Sequence, residues 1–124
     1  MPRIMLVLLA ITFCTTSVAF AKRSPPAEVA PLKAGAIEYR VSHKDMGCVE
    51  AWDAKQNELI WRRQVYAVKY NVDLERDVQD VFITSIEVKG DTLLVKNERQ
   101  SQYKLDLNSL EVTVVKGALV EGKK

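Results

Sequence analysis

Cysteine is scarce in this chain, two among 124 residues, and one of them, Cys14, lies in a segment expected to be removed. Cys48 is then left without a partner in its own chain, which excludes a disulfide-stapled scaffold. Histidine is scarcer still, at one residue. A closed metal site built on His43, Asp45 and Cys48 would have to find carboxylates for its other ligands, so no metal and no cofactor is expected. An excess of one charge is also missing. The 18 basic and 16 acidic residues are interspersed, with Arg62-Arg63 as the densest basic pair, and such a balance points to neither nucleic acid nor an anionic membrane as partner. After the first apolar run no second one follows, so no membrane span is expected. The Asn-x-Ser/Thr acceptor of glycosylation is absent.

What is present begins with an address. Arg3 opens a short positive start, Ile4 to Phe13 is almost unbroken apolar sequence, and Ala19-Phe20-Ala21 has the small-x-small pattern that signal peptidase cuts after. Residues 1–21 are read as a signal peptide, with a periplasmic or extracellular destination. The bulky Phe13 before Cys14 fits a lipid-attachment site poorly. Residues 22–35, with Pro25, Pro26 and Pro31, are expected to be an extended, solvated leader arm.

From Ala36 the period becomes two. Ile37, Tyr39 and Val41 alternate with Glu38, Arg40 and Ser42, as in a half-buried strand. A turn over 43–47 leads into strand 48–53, and Gln56-Asn57 turns the chain into 58–63. Residues 65–72 read as a further strand, with Tyr66, Val68, Tyr70 and Val72 on one face. Residues 73–80 read either as one helical turn capped by Asp73, with Leu74 and Val78 one turn apart, or as a charged surface loop. Residues 81–89 carry apolar side chains on both faces, the mark of a central strand. Gly90-Asp91 is a hairpin turn, Arg99-Gln100-Ser101 turns again, and 110–115 closes the domain. The fold expected is an all-β antiparallel meander of about seven or eight short strands over 36–116, followed by a frayed tail at 117–124.

One motif is specific. Ala51, Asp53 and Trp61, with Gln56-Asn57 at the turn between them, are spaced like the repeat signature Ala-x-Asp, Thr-Gly turn, Trp. This stretch resembles the blade repeat of quinoprotein-dehydrogenase-like (PQQ-type) β-propellers. Asp53 can cap the turn, Asn57 can supply a left-handed residue, and Trp61 can dock on a neighbouring sheet. A second strand-Asp-turn-strand copy lies at Asp106 to Val112 without the tryptophan. The resemblance implies two propeller blades or half-blades, too few to close a ring. In that family the tryptophan motif is structural, so it implies no quinone site here.

The remaining constellations are sparse. His43 and Cys48 are close in sequence, but no signature of a thiol enzyme surrounds them. Asn71, Asp73, Glu75 and Asp77 alternate like calcium ligands without the glycine and terminal acid of an EF-hand. Tyr39, Trp52, Tyr66, Tyr70 and Tyr103 offer an aromatic binding face. The function expected is that of an exported, non-enzymatic interaction or assembly module, meeting a protein partner or itself through edge strands. The alternative is a small-molecule, glycan or calcium-binding module, or a small enzyme using Cys48 or a carboxylate such as Asp53. No catalytic residue is assigned.

Overall fold

The computed structural model describes residues 24–117; the expected signal peptide, and the expected tail beyond Gly117, lie outside the described residues. The fold is all-β and antiparallel, as the period of two demands. Eight strands form two four-stranded meanders among the described residues. Sheet A takes β1 (Leu32–Ala34), β2 (Ile37–Val41), β3 (Cys48–Asp53) and β4 (Glu58–Gln64), in that order. Sheet B takes β5 (Ile83–Lys89), β6 (Thr92–Asn97), β7 (Gln102–Asp106) and β8 (Val112–Lys116). Between them the chain forms one short helix, α1 (Arg76–Gln79).

The two sheets share one core. Tyr39, Val49 and Ala51 from sheet A join Ile83, Leu93, Val95, Tyr103 and Leu105 from sheet B in a single buried cluster. Each sheet also opens on the same hairpin. Gly35 and Gly90 take φ values of +63° and +58° at the first turn position, where a side chain would be strained and the two-residue turn that follows the twist of the strands requires a left-handed residue.

Four expectations are corrected. The leader arm ends earlier than residue 35, because β1 pairs Leu32 with Tyr39 and Ala34 with Ile37. Pro31 removes a ladder donor but stands outside the pairing, so the strand begins just after it; Val29 also packs on the core. Residues 65–72 are not a strand. After Gln64 the chain leaves sheet A and crosses to sheet B, and its apolar side chains fill the seam: Val65 and Tyr66 are buried, whereas Val72 is 96% exposed. Alternation recorded burial here without a ladder.

The third correction concerns 81–89. The strand starts at Ile83, and β5 is the first strand of sheet B and not a central one. Its apolar residues fall on both parities because a bulge intervenes: Ile83 pairs with Asn97 but Ser85 with Lys96. The extra residue returns Ile86 and Val88 to the face that Ile83 occupies. Finally, the helical turn is present but begins two residues later, with Glu75 and not Asp73 at its N-cap, and without a side-chain cap bond.

Candidate functional site

The motif residues first. In the β3–β4 turn the Asp53 Oδ1 accepts from the backbone N–H of Lys55 (2.9 Å) and Gln56 (3.0 Å), and the Asp53 carbonyl accepts from Asn57 N–H at 2.8 Å. Asn57 is left-handed at φ +54°, a conformation its short polar side chain tolerates. Its Oδ1 accepts from Arg40 at 2.8 Å. Ala51 is fully buried. Trp61 is half-buried against the core, its ring tilted on Tyr39 with centroids 6.1 Å apart. These four residues are engaged in the turn and the packing of sheet A.

The second copy folds the same way. Asp106 Oδ1 accepts from Asn108 N–H (2.8 Å) and Ser109 N–H (2.9 Å), and its carbonyl accepts from Leu110 at 2.8 Å. Those two backbone bonds hold the Asp106 carboxyl below the usual aspartate range. Even the stitch to the opening hairpin recurs, since Ala54 N–H donates to Ala36 at 3.0 Å and Leu107 N–H to Asp91 at 2.8 Å.

The five aromatics do not form one face. Tyr39 lies in the core with Trp61. Trp52 faces the other way, beneath the Arg40 guanidinium at 4.5 Å from its ring centroid, with Nε1 buried and unpaired. Tyr70 donates to Asp80 Oδ1 at 2.6 Å and carries Arg76 over its ring; burial first, then this carboxylate, push its hydroxyl up to about 12. Only Tyr66 and Tyr103 meet, stacked with centroids 5.3 Å apart and planes 19° from parallel. The Tyr66 hydroxyl donates to the Val81 carbonyl, and burial raises its pKa.

That stacked pair lines a cleft of about 310 Å³ between the crossing segment and sheet B. Ala67, Val68 and Lys69 of the crossing segment, Gln79 of α1, and Asn97, Arg99 and Ser101 at the β6–β7 turn complete its lining. Gln79 is fully engaged: its Nε2 donates to the carbonyls of Asn71, Leu74 and Glu75, and its Oε1 accepts from Asn71 N–H. Asn97 is built differently. It is the buried polar residue of the core, 4% exposed, and its Oδ1 accepts from Arg99 N–H (3.0 Å) and Ser101 N–H (3.1 Å). Two donors aimed at that atom fix which end of the amide is oxygen. The Nδ2 end is not used by the loop: among the described residues it makes no hydrogen bond, and it is not one of the buried unpaired atoms, so solvent reaches it.

Sequence reasoning placed the turn at 99–101 and the tyrosines 66 and 103, but not Asn97 or Lys69. A buried Asn at a strand end before a turn is a readable signal. What brings Lys69 to the same cleft is the irregular crossing segment, which carries no period.

Neither chemical alternative gains support from the geometry. Cys48 is buried and its Sγ–H points to the Met46 carbonyl at 3.9 Å; burial pushes the thiol up more than nearby Arg62 lowers it, which disfavours the thiolate. His43 packs on Phe82, centroids 4.8 Å apart, with Nε2 buried and unpaired. Asn71 Oδ1 caps Asp73 N–H and Asp77 Oδ1 caps Val78 N–H, so two of the four calcium candidates are turned onto backbone. Among the described residues no three His, Cys, Asp or Glu side chains stand close enough to share a metal, and no helix is long and apolar enough to cross a membrane. No family model matches this chain, and no curated protein matches its sequence.

Proposed function

We propose that this chain is an exported, non-enzymatic binding module that takes a small ligand in the cleft between its crossing segment and sheet B. The observation that carries this reading is Asn97, a mostly buried side chain lining the cleft, whose acceptor end is consumed by the loop and whose donor end is left to solvent or a ligand. The volume falls at the small end of the range of natural ligand sites. The resemblance to propeller blades is supported by the two copies of the Asp-capped turn, and export by the N-terminal sequence.

The test is a fragment screen read by amide NMR on the purified protein. Saturable shifts of the Asn97 side-chain amide together with Lys69 and Ser101 are the expected result. Shifts scattered elsewhere, or none, would remove the cleft as a site.

A second reading, strand addition at an edge, rests on β4. This outermost strand carries exposed Leu59 and Ile60, an invitation to a protein partner or a second copy. Against it, Ile60 is the extra residue of a bulge, since Ala51 pairs with Trp61 and Trp52 with Leu59. The outer strand β8 carries the same device at Val115. Bulges of this kind blunt an edge, which places the cleft first. Light scattering separates the two: a dimer abolished by Ile60→Lys would restore the edge.

A further inference from the structure

We propose that this cleft selects a small organic anion, a carboxylate carried on a flat apolar body. This rests on the binding-module reading above and names its ligand. The groups at the cleft that are free to bind are donors and cations. Lys69 and Arg99 both line the cleft and are exposed, and among the described residues neither makes an ion pair. Asn97, whose Nδ2 the loop does not use, adds a third, uncharged donor to the lining. No aspartate or glutamate lines the cleft. The two nearest in sequence are engaged: Glu98 Oε1 accepts from Phe82 N–H at 3.1 Å while its charge is still felt at Tyr66, and Asp80 Oδ1 accepts from the Tyr70 hydroxyl at 2.6 Å.

The rest of the lining fixes the other half of the ligand. Tyr66, Tyr103, Val68 and Val81 present ring and aliphatic carbon, and the Tyr66 hydroxyl is spent on Val81. An inorganic anion would gain from the cations and waste this apolar surface. A neutral aromatic would fill the apolar part and leave Asn97 and the cations unanswered. A carboxylate answers three donors at once, and charge-assisted bonds of this kind are stronger than neutral ones. Arg99, with its planar fork, suits a carboxylate better than Lys69 does.

The test uses benzoate, benzyl alcohol and inorganic phosphate as probes of the purified protein, followed by amide NMR titration. Benzoate is expected to saturate with a Kd on the order of 1 mM, at least about tenfold tighter than the other two, and to weaken with added salt. Arg99→Gln should weaken benzoate roughly threefold to tenfold. Asn97→Asp keeps the oxygen that the loop requires and replaces the donor by a negative charge, so it should lose more than about tenfold. Equal binding of benzoate and benzyl alcohol in the cleft would overturn the anion while leaving a ligand site. Tighter binding of phosphate would overturn the apolar body. Benzoate binding indifferent to both variants, or shifts in the cleft from none of the three probes, would overturn the proposal.

Discussion

In sheet A the turn from Asp53 to Asn57 ends on a left-handed asparagine; in sheet B the turn from Asp106 to Leu110 ends on a left-handed leucine at φ +61°. Backbone and caps are the same in both, so the turn is specified by one aspartate and the reach of its carboxylate to two N–H groups. The side chains around it diverge. Sheet A pairs Tyr39 with Trp61, while sheet B fills its share of the core with Leu93, Val95, Leu105 and the ring of Tyr103. The second connection diverges too. In sheet A it runs over 42–47 and hinges on Gly47, and in sheet B it runs over 98–101 and is held by the Asn97 amide. Local turn chemistry can therefore be repeated while packing and loop length change independently. The cleft lies where sheet B departs from sheet A, at the Asn97 loop.

The largest expected effect tests whether the two sheets are one unit. Leu105→Ala in sheet B and Trp61→Ala in sheet A should each lower stability by about 3 kcal/mol, the cost of opening a cavity in a shared core, discounted for the partial exposure of Trp61. Both should move the midpoint of a single urea transition without changing its slope. Two separate transitions would break the shared core.

Next comes the connection that distinguishes sheet A. Gly47 is left-handed at φ +73°, and a Cβ there would run into the Tyr66 carbonyl. Gly47→Ala should cost about 3 kcal/mol, from backbone strain and overpacking together. Gly35→Ala and Gly90→Ala face open space and should cost about 1 kcal/mol, from the positive φ alone. Similar losses at all three in urea melts would show that the contact with Tyr66 does not constrain the loop.

The seam supplies a pH effect. The pKa values of Tyr66 and Tyr70 are raised in the fold, in each case by burial first, with Tyr70 further held neutral by Asp80. Their unfolded-state counterparts titrate near 10. The associated stability is fully present below pH 10 and is lost as pH rises from there through the folded values. A melt series from pH 9 to 12 should fall, and Tyr66→Phe should flatten part of that fall while removing the bond to Val81. An unchanged alkaline slope in Tyr66→Phe would mean that the hydroxyl is not what titrates.

Much of this fold was legible in the residues. Period-two alternation marked β2 and β3, the Gly90-Asp91 pair marked its hairpin, and Asp53 announced the turn that Asp106 repeats. Two kinds of feature were not legible. The bulge in β5 shifts parity by one residue, and a two-faced apolar pattern then looks central when the strand is an edge. The crossing segment after Gln64 buries Val65 and Tyr66 by tertiary contact without any ladder, so alternation was read as a strand. The candidate site suffered from the same blindness. Tyr66 and Tyr103 were visible as aromatics, but their stacking depends on that segment, and so does the placing of Lys69 at the same cleft as Asn97.

The smallest effect sharpens the opening contrast. If the turn needs a left-handed fifth residue in both sheets, exchanging the two residues should be asymmetric. Asn57→Leu places a leucine where a left-handed backbone is unfavourable and removes the exposed bond from Arg40, so it should cost about 1 kcal/mol. Leu110→Asn eases the backbone by about the same amount, but Leu110 is half-buried against the core, and losing that contact offsets the gain by about 1 kcal/mol. The bond from Arg63 Nε to the Leu110 carbonyl, 2.9 Å, is to backbone and survives the change. Leu110→Asn should thus lie within about 0.5 kcal/mol of the parent in urea melts, the sum of two opposed terms. A clear gain on Leu110→Asn would show that the leucine packs on nothing of consequence, and sheet B tolerates its strain for no packing reason. A cost-free Asn57→Leu would show instead that the left-handed position is cheap in this turn, and the asparagine stands there for Arg40 alone.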